Sequence, residues 1–153
     1  MQLTDLLTVE RIGCDVQAAS KKRAIEKLST LIAAGNEQVS EAVVFDSLLA
    51  RERLGSTGLG RGVAIPHGRV KDSERAIGAF MRLEQSIDFD AVDKQPVDLL
   101  FALLVPEHAT DEHLQLLAQL AEMFSNGELV ERLRQAKDAD ALFDEIRRWQ
   151  ASH

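Results

Sequence analysis

Val97-Asp98-Leu99-Leu100-Phe101-Ala102-Leu103-Leu104-Val105 is an almost unbroken apolar run. A strand with one wet face alternates polar and apolar side chains. This stretch does not, so both of its faces must be covered. Pro106 cannot donate to a ladder and ends the strand. Its uninterrupted core, Leu99–Val105, has seven residues, far short of the roughly 20 that span a bilayer. The run therefore reads as the central strand of an α/β sheet with helices on both faces.

Outward from it, Ala76–Leu83 reads as a second long strand, and Val63–Ile65 as a short one ending at Pro66. Downstream, Thr110 is the expected N-cap of a helix with two acids in its first turn. Leu114, Leu117, Ala118, Ala121 and Phe124 form its expected buried face, with Leu116, Leu120 and Met123 beside it, and Asn126-Gly127 ends it. Leu129–Ala136 and Ala139–Gln150 read as two closing helices, the second docking through Phe143, Ile146 and Trp149.

Upstream, Leu3–Leu7 has the pattern of a short helical turn, and Val9–Val16 contains a strand. Ser20 caps a helix with Ala24, Ile25, Leu28, Leu31 and Ile32 at helical spacing, and Gly35 stops it. Ser40 caps a second helix. Val43, Val44, Leu48 and Leu49 form its expected stripe, and Arg51, Glu52 and Arg53 lie in its last turn. There is no repeat, low-complexity segment or long linker, so residues 1–153 are expected to form one domain.

A net charge of −7 argues against a nucleic-acid surface, and the only short basic run is Lys21-Lys22-Arg23. The single cysteine, Cys14, leaves no intramolecular disulfide and fits a reducing compartment. No secretory segment or membrane insertion is read from the sequence, so the expected localisation is cytoplasmic.

The chemistry concentrates in Gly55-Ser56-Thr57-Gly58-Leu59-Gly60-Arg61-Gly62-Val63-Ala64-Ile65-Pro66-His67-Gly68. It is not a P-loop, because no Gly-Lys-Ser/Thr follows the glycines. It is not a dinucleotide fingerprint either, since a helix precedes it and the last glycine spacing is wrong. Glycines let backbone N–H groups approach an anion, and Ser56 and Thr57 add hydroxyls. Ser56, Thr57, Gly58, Gly60, Gly62 and Gly68 are thus the expected phosphate-cradling residues. His67, on a turn behind Pro66, is placed to handle the phosphate.

Of the other histidines, His153 is expected to be disordered at the terminus and His108 exposed in a loop, whereas His113 falls in the first turn of the helix after the central strand. No His or Cys spacing fits a metal site, and no Gly-x-Ser-x-Gly elbow is present, so neither a metal nor a cofactor is expected. Phosphoryl transfer fits better. Its loose transition state needs charge stabilisation more than covalent chemistry. Arg51 or Arg53 can supply a guanidinium, and His113 a second imidazole.

The run Arg51-Glu52-Arg53-Leu54-Gly55-Ser56-Thr57-Gly58 through Ala64-Ile65-Pro66-His67-Gly68 resembles the signature of the fructose/mannitol-type IIA family of the bacterial phosphotransferase system, in its nitrogen-regulatory form. The resemblance extends to His113-Leu114 and the helix beyond. It implies a mixed sheet flanked by helices, and a phosphocarrier in which His67 takes a phosphoryl group on Nε2 from an HPr-like phosphoprotein. Arg51, sixteen positions before His67, and His113, 46 after it, match the family's other active-site residues. Regulated proteins such as sensor kinases or ion transport regulators are the implied partners. A IIA component handing phosphate to a IIB cysteine of a sugar transporter is the alternative. An anion-binding interaction module without covalent chemistry is the second.

Overall fold

A computed structural model describes residues 2–34, 36, 38–71 and 73–153. Gly35, expected to stop the first long helix, lies outside the described residues.

The apolar run is β6 (Val97–Pro106), and its neighbours are set by hydrogen bonding on both sides. On one side β5 (Ile77–Ile87) runs antiparallel to β6, and β1 (Ile12–Val16) runs parallel to β5. On the other side two short strands follow each other along β6, both parallel to it. β3 (Val63–Ala64) pairs with Leu99 and Leu100, and β4 (His67–Val70) pairs with Leu103 to Pro106. β2 (Gly58–Gly60) completes the mixed six-stranded sheet, antiparallel to β3.

β4 departs from the expected turn at His67. Pro66 lacks an N–H, but its carbonyl accepts from Leu103 N at 2.9 Å. Only the Ile65–Pro66 step leaves the ladder, and the strand resumes at once.

Side chains of β6 alternate between two cores, as a strand buried on both faces must. Leu99, Phe101, Leu103 and Val105 join one core; Leu100, Ala102 and Leu104 join the other. The first is covered by α3 (Thr110–Phe124), α4 (Gly127–Gln135), α5 (Ala139–Ser152) and an N-terminal 3₁₀ turn at Leu3–Asp5. The second is covered by α1 (Lys21–Ala33) and α2 (Glu41–Arg53). Ser20 and Ser40 cap these two helices, accepting from Arg23 N and Val43 N.

Several local expectations are corrected. Thr110 is the first residue of α3, not its cap, and no side chain caps that helix. Asn126 opens α4, because its Oδ1 accepts from Glu128 N and Leu129 N at 3.1 Å. Leu114 is 60% exposed, and its neighbour His113, at 6%, takes the inward position. Val43 is half exposed; the buried residues of α2 are Val44, Leu48 and Glu52. On α5 the buried face is Leu142, Ile146 and Trp149, with Phe143 only partly covered.

Candidate phosphoryl-transfer site

Three element ends meet at one side of β6: the C-terminal turn of α2, the start of β4 and the first turn of α3. They bring Arg51, His67, Arg69 and His113 to an open cleft of about 710 Å³. Ala50, Leu54, Leu114 and Leu117 give it an apolar rim, and Asp46 and Ser47 lie on its α2 side. Leu54 is 85% exposed.

His67 is held by its own backbone. Its Nδ1 lies 2.8 Å from the Ile65 carbonyl. A carbonyl only accepts, so Nδ1 carries the proton and Nε2 keeps its lone pair. Burial lowers the His67 pKa below its usual value, and the nearby Arg51 and Arg69 charges lower it further. The Ile65 hydrogen bond and Glu52 pull the other way without reversing the shift. At neutral pH the ring is therefore a neutral nucleophile.

His113 lies across from it, ring centroids 5.3 Å apart and planes inclined at 66°. Arg69 Nε donates to His113 Nδ1 at 3.3 Å. That places the His113 proton on Nε2, an atom that is buried and has no partner among the described residues. A buried donor left unpaired is costly unless something arrives to accept from it. Burial, followed by the His67 and Arg69 charges, pushes the His113 pKa down to about 4, so the ring is a neutral donor.

Arg51 lines the same cleft, and its Nη1 donates to the Gly55 carbonyl at 2.8 Å. Arg69 was not among the expected residues. The signal for it was the strand period: in β4, residue 69 lies on the same face as residue 67. Once His67 is read as opening a strand and not as ending a turn, Arg69 follows.

Of the six expected cradle residues, only Gly68 lines the cleft. A side chain there would run into Ser47, so α2 can approach β4 only over a glycine. Ser56 Oγ donates to the Phe89 carbonyl at 2.9 Å and accepts from Gly58 N at 3.1 Å. The Thr57 hydroxyl and N–H both bond the Glu52 carboxylate. Gly60 and Gly62 adopt positive φ, 95° and 83°, in the tight hairpin from β2 to β3.

Comparison with known proteins finds relatives over most of the chain. Residues 5–149 match the sequence profile of a family described as "Phosphoenolpyruvate-dependent sugar phosphotransferase system, EIIA 2". A nitrogen regulatory protein of Pseudomonas aeruginosa is 46% identical over 143 residues, covering 94% of this chain and 93% of that one. A nitrogen regulatory protein of Escherichia coli is 46% identical over 147 residues, with 95% and 90% covered. The crystal structure of nitrogen regulatory protein IIA-Ntr from Neisseria meningitidis superposes with a TM-score of 0.88 at 43% identity, covering 94% of this chain and 98% of that one. Among the described residues no helix is long and apolar enough to cross a membrane.

Proposed function

Because the chain belongs to the phosphoenolpyruvate-dependent sugar phosphotransferase system EIIA 2 family, we propose that it is a phosphocarrier acting through His67, with its phosphorylation state read by partner proteins. The observation that carries this reading is the pairing of two neutral imidazoles. His67 presents a free Nε2 lone pair beside an unpartnered Nε2–H of His113.

The step balances simply. The donor is a phosphohistidine on an HPr-like protein. His67 Nε2 forms a bond to phosphorus as the donor's phosphorus–nitrogen bond breaks, and the donor imidazole leaves with that electron pair. The ring gains positive charge, which the Ile65 carbonyl stabilises through the Nδ1 proton. Oxygens of the transferring group meet His113 Nε2–H and the guanidiniums of Arg51 and Arg69. Donors fixed in advance at such oxygens stabilise the transition state without reorganising.

The cleft's apolar rim supports a protein donor over a small soluble anion. Leu54 and Leu114 are 85% and 60% exposed, and leucines add nothing to the capture of a free anion. Relatives named as nitrogen regulatory proteins support a regulatory role over sugar transport. Phosphorylation adds about −1.5 to −2 charges in the midst of that rim. A partner seated on the leucines meets a different surface in each state.

The test is labelling from a phosphorylated HPr-like donor. The wild-type chain is expected to take up an acid-labile, base-stable phosphoryl group, and His67→Ala is expected to take up none. Equal labelling of the two would refute the assignment. Pull-downs of phosphorylated and unphosphorylated protein with sensor kinases and ion transport regulators test the regulatory half, and equal affinities would sink it.

A further inference from the structure

Glu52 is 5% exposed, one residue past Arg51, and does not line the cleft. A buried carboxylate is costly unless it is paired and hydrogen-bonded. This one is fully engaged. Lys21 Nζ lies 2.8 Å from Oε2, and Thr57 gives the carboxylate both its N–H, at 3.2 Å, and its hydroxyl. Lys21 is itself anchored, 4.7 Å above the Phe89 ring and 3.3 Å from the Phe89 carbonyl.

From Thr57 the bonding continues to the phosphoryl acceptor. Ile65 N donates to the Thr57 carbonyl at 3.0 Å. Pro66 restricts Ile65 to extended backbone. With its N–H held and its ψ restricted, Ile65 can aim its carbonyl in one direction only. That carbonyl accepts from His67 Nδ1. The same clamp closes the turn between residues 52 and 57, whose Gly55 carbonyl holds Arg51 Nη1 at 2.8 Å. Two cleft groups thus depend on one buried carboxylate behind them.

We infer that Glu52, clamped by Lys21 and Thr57, is the positioning residue that sets the His67 tautomer and the Arg51 guanidinium for transfer. The inference rests on the phosphocarrier reading for its kinetic consequence, but not for its structural one. Thr57, whose hydroxyl looked like a phosphate ligand in the sequence, works from behind the site. The clamp acts through geometry: it fixes where the Ile65 carbonyl points, and with it the hold on the Nδ1 proton.

The experiment compares Thr57→Val, Thr57→Ser and Lys21→Met with the wild type. Nitrogen NMR of the imidazoles reads the His67 tautomer without any donor, and labelling from a phosphorylated HPr-like protein reads the transfer rate. The wild type is expected to hold the proton on Nδ1. Thr57→Val is expected to mix the tautomers and slow transfer about tenfold or more, the scale of a misplaced reacting group. Thr57→Ser, which keeps the hydroxyl, is expected to restore both. Lys21→Met changes a partly exposed side chain and covers the case in which Thr57→Val does not fold; it is expected to shift the tautomer the same way. A wild-type tautomer in folded Thr57→Val or in Lys21→Met overturns the inference. Failure of the wild type to label, with the tautomer responding as described, instead overturns the phosphocarrier reading alone.

Discussion

His67 and His113 face each other edge to face, 5.3 Å between ring centroids, and opposite hydrogen bonds put them in opposite tautomers. One ring presents a lone pair and the other a proton. A phosphoryl group on the first ring brings its oxygens to the second. Burial lowers both pKa values, and at His113 the facing His67 adds to the effect.

The burial of His113, with the His67 and Arg69 charges beside it, makes stability fall with acid in a defined window. The folded chain holds His113 neutral down to a pKa of about 4, while the unfolded chain takes the proton near 6.5. Between those values the unfolded state binds more protons, so stability rises with pH there. The contribution of neutral His113 is complete above 6.5 and is lost as pH falls toward 4. Urea unfolding of wild type and His113→Gln across this range checks it. The stability difference between them is expected to shrink on the acid side, and a constant difference would reject the assignment. In an NMR titration, His67 is expected to show a midpoint below 6.5.

Arg69 is expected to matter for rate and not for folding. Its side chain lies on the exposed face of β4 and reaches His113 through Nε. Arg69→Met removes both the donor that sets the His113 tautomer and a cation at the cleft. Transfer onto His67 is expected to slow roughly tenfold or more, with the unfolding midpoint unchanged. Arg69→Lys keeps the charge but loses the planar fork, and is expected to recover only part. Transfer by Arg69→Met within error of the wild type would remove Arg69 from the site.

Much of this architecture could be read without coordinates, for identifiable reasons. The run through Leu99–Val105 has no polar position, so only a strand covered on both faces accommodates it. Ser20 and Ser40 stand directly before helical periods and cap them as expected. What could not be read depended on contacts between distant segments. The helix at residues 110–124 carries leucines at 114, 116, 117 and 120, with alanines at 118 and 121 widening the apolar arc. Periodicity alone does not say that His113 turns inward and that Leu114 rims a cleft. The hydroxyls of Ser56 and Thr57 suit phosphate equally well in isolation. Their engagement by Phe89 and Glu52 is a matter of tertiary packing.

Gly68 ties packing to chemistry, and Gly68→Ala is expected to damage both. α2 crosses β4 at this point, where Ser47 Oγ donates to the Arg69 carbonyl at 3.0 Å. A methyl at residue 68 would run into that Oγ and lie 3.1 Å from the Ser47 backbone carbon and oxygen. The helix must then lift from the strand, at a cost of about 1–3 kcal/mol typical of overpacking. Arg51 rides on the same helix, one turn beyond Ser47, so lifting it draws the guanidinium away from His67. The variant is expected to show a lower urea midpoint together with slower labelling. Adding Ser47→Ala relieves the hydroxyl contact but leaves the two backbone contacts, so the double variant is expected to recover only part of each loss. Full recovery by Ser47→Ala would mean that the side chain alone sets the spacing of α2 over β4, and unaltered stability in Gly68→Ala would mean that the helix is not seated as tightly as this contact requires.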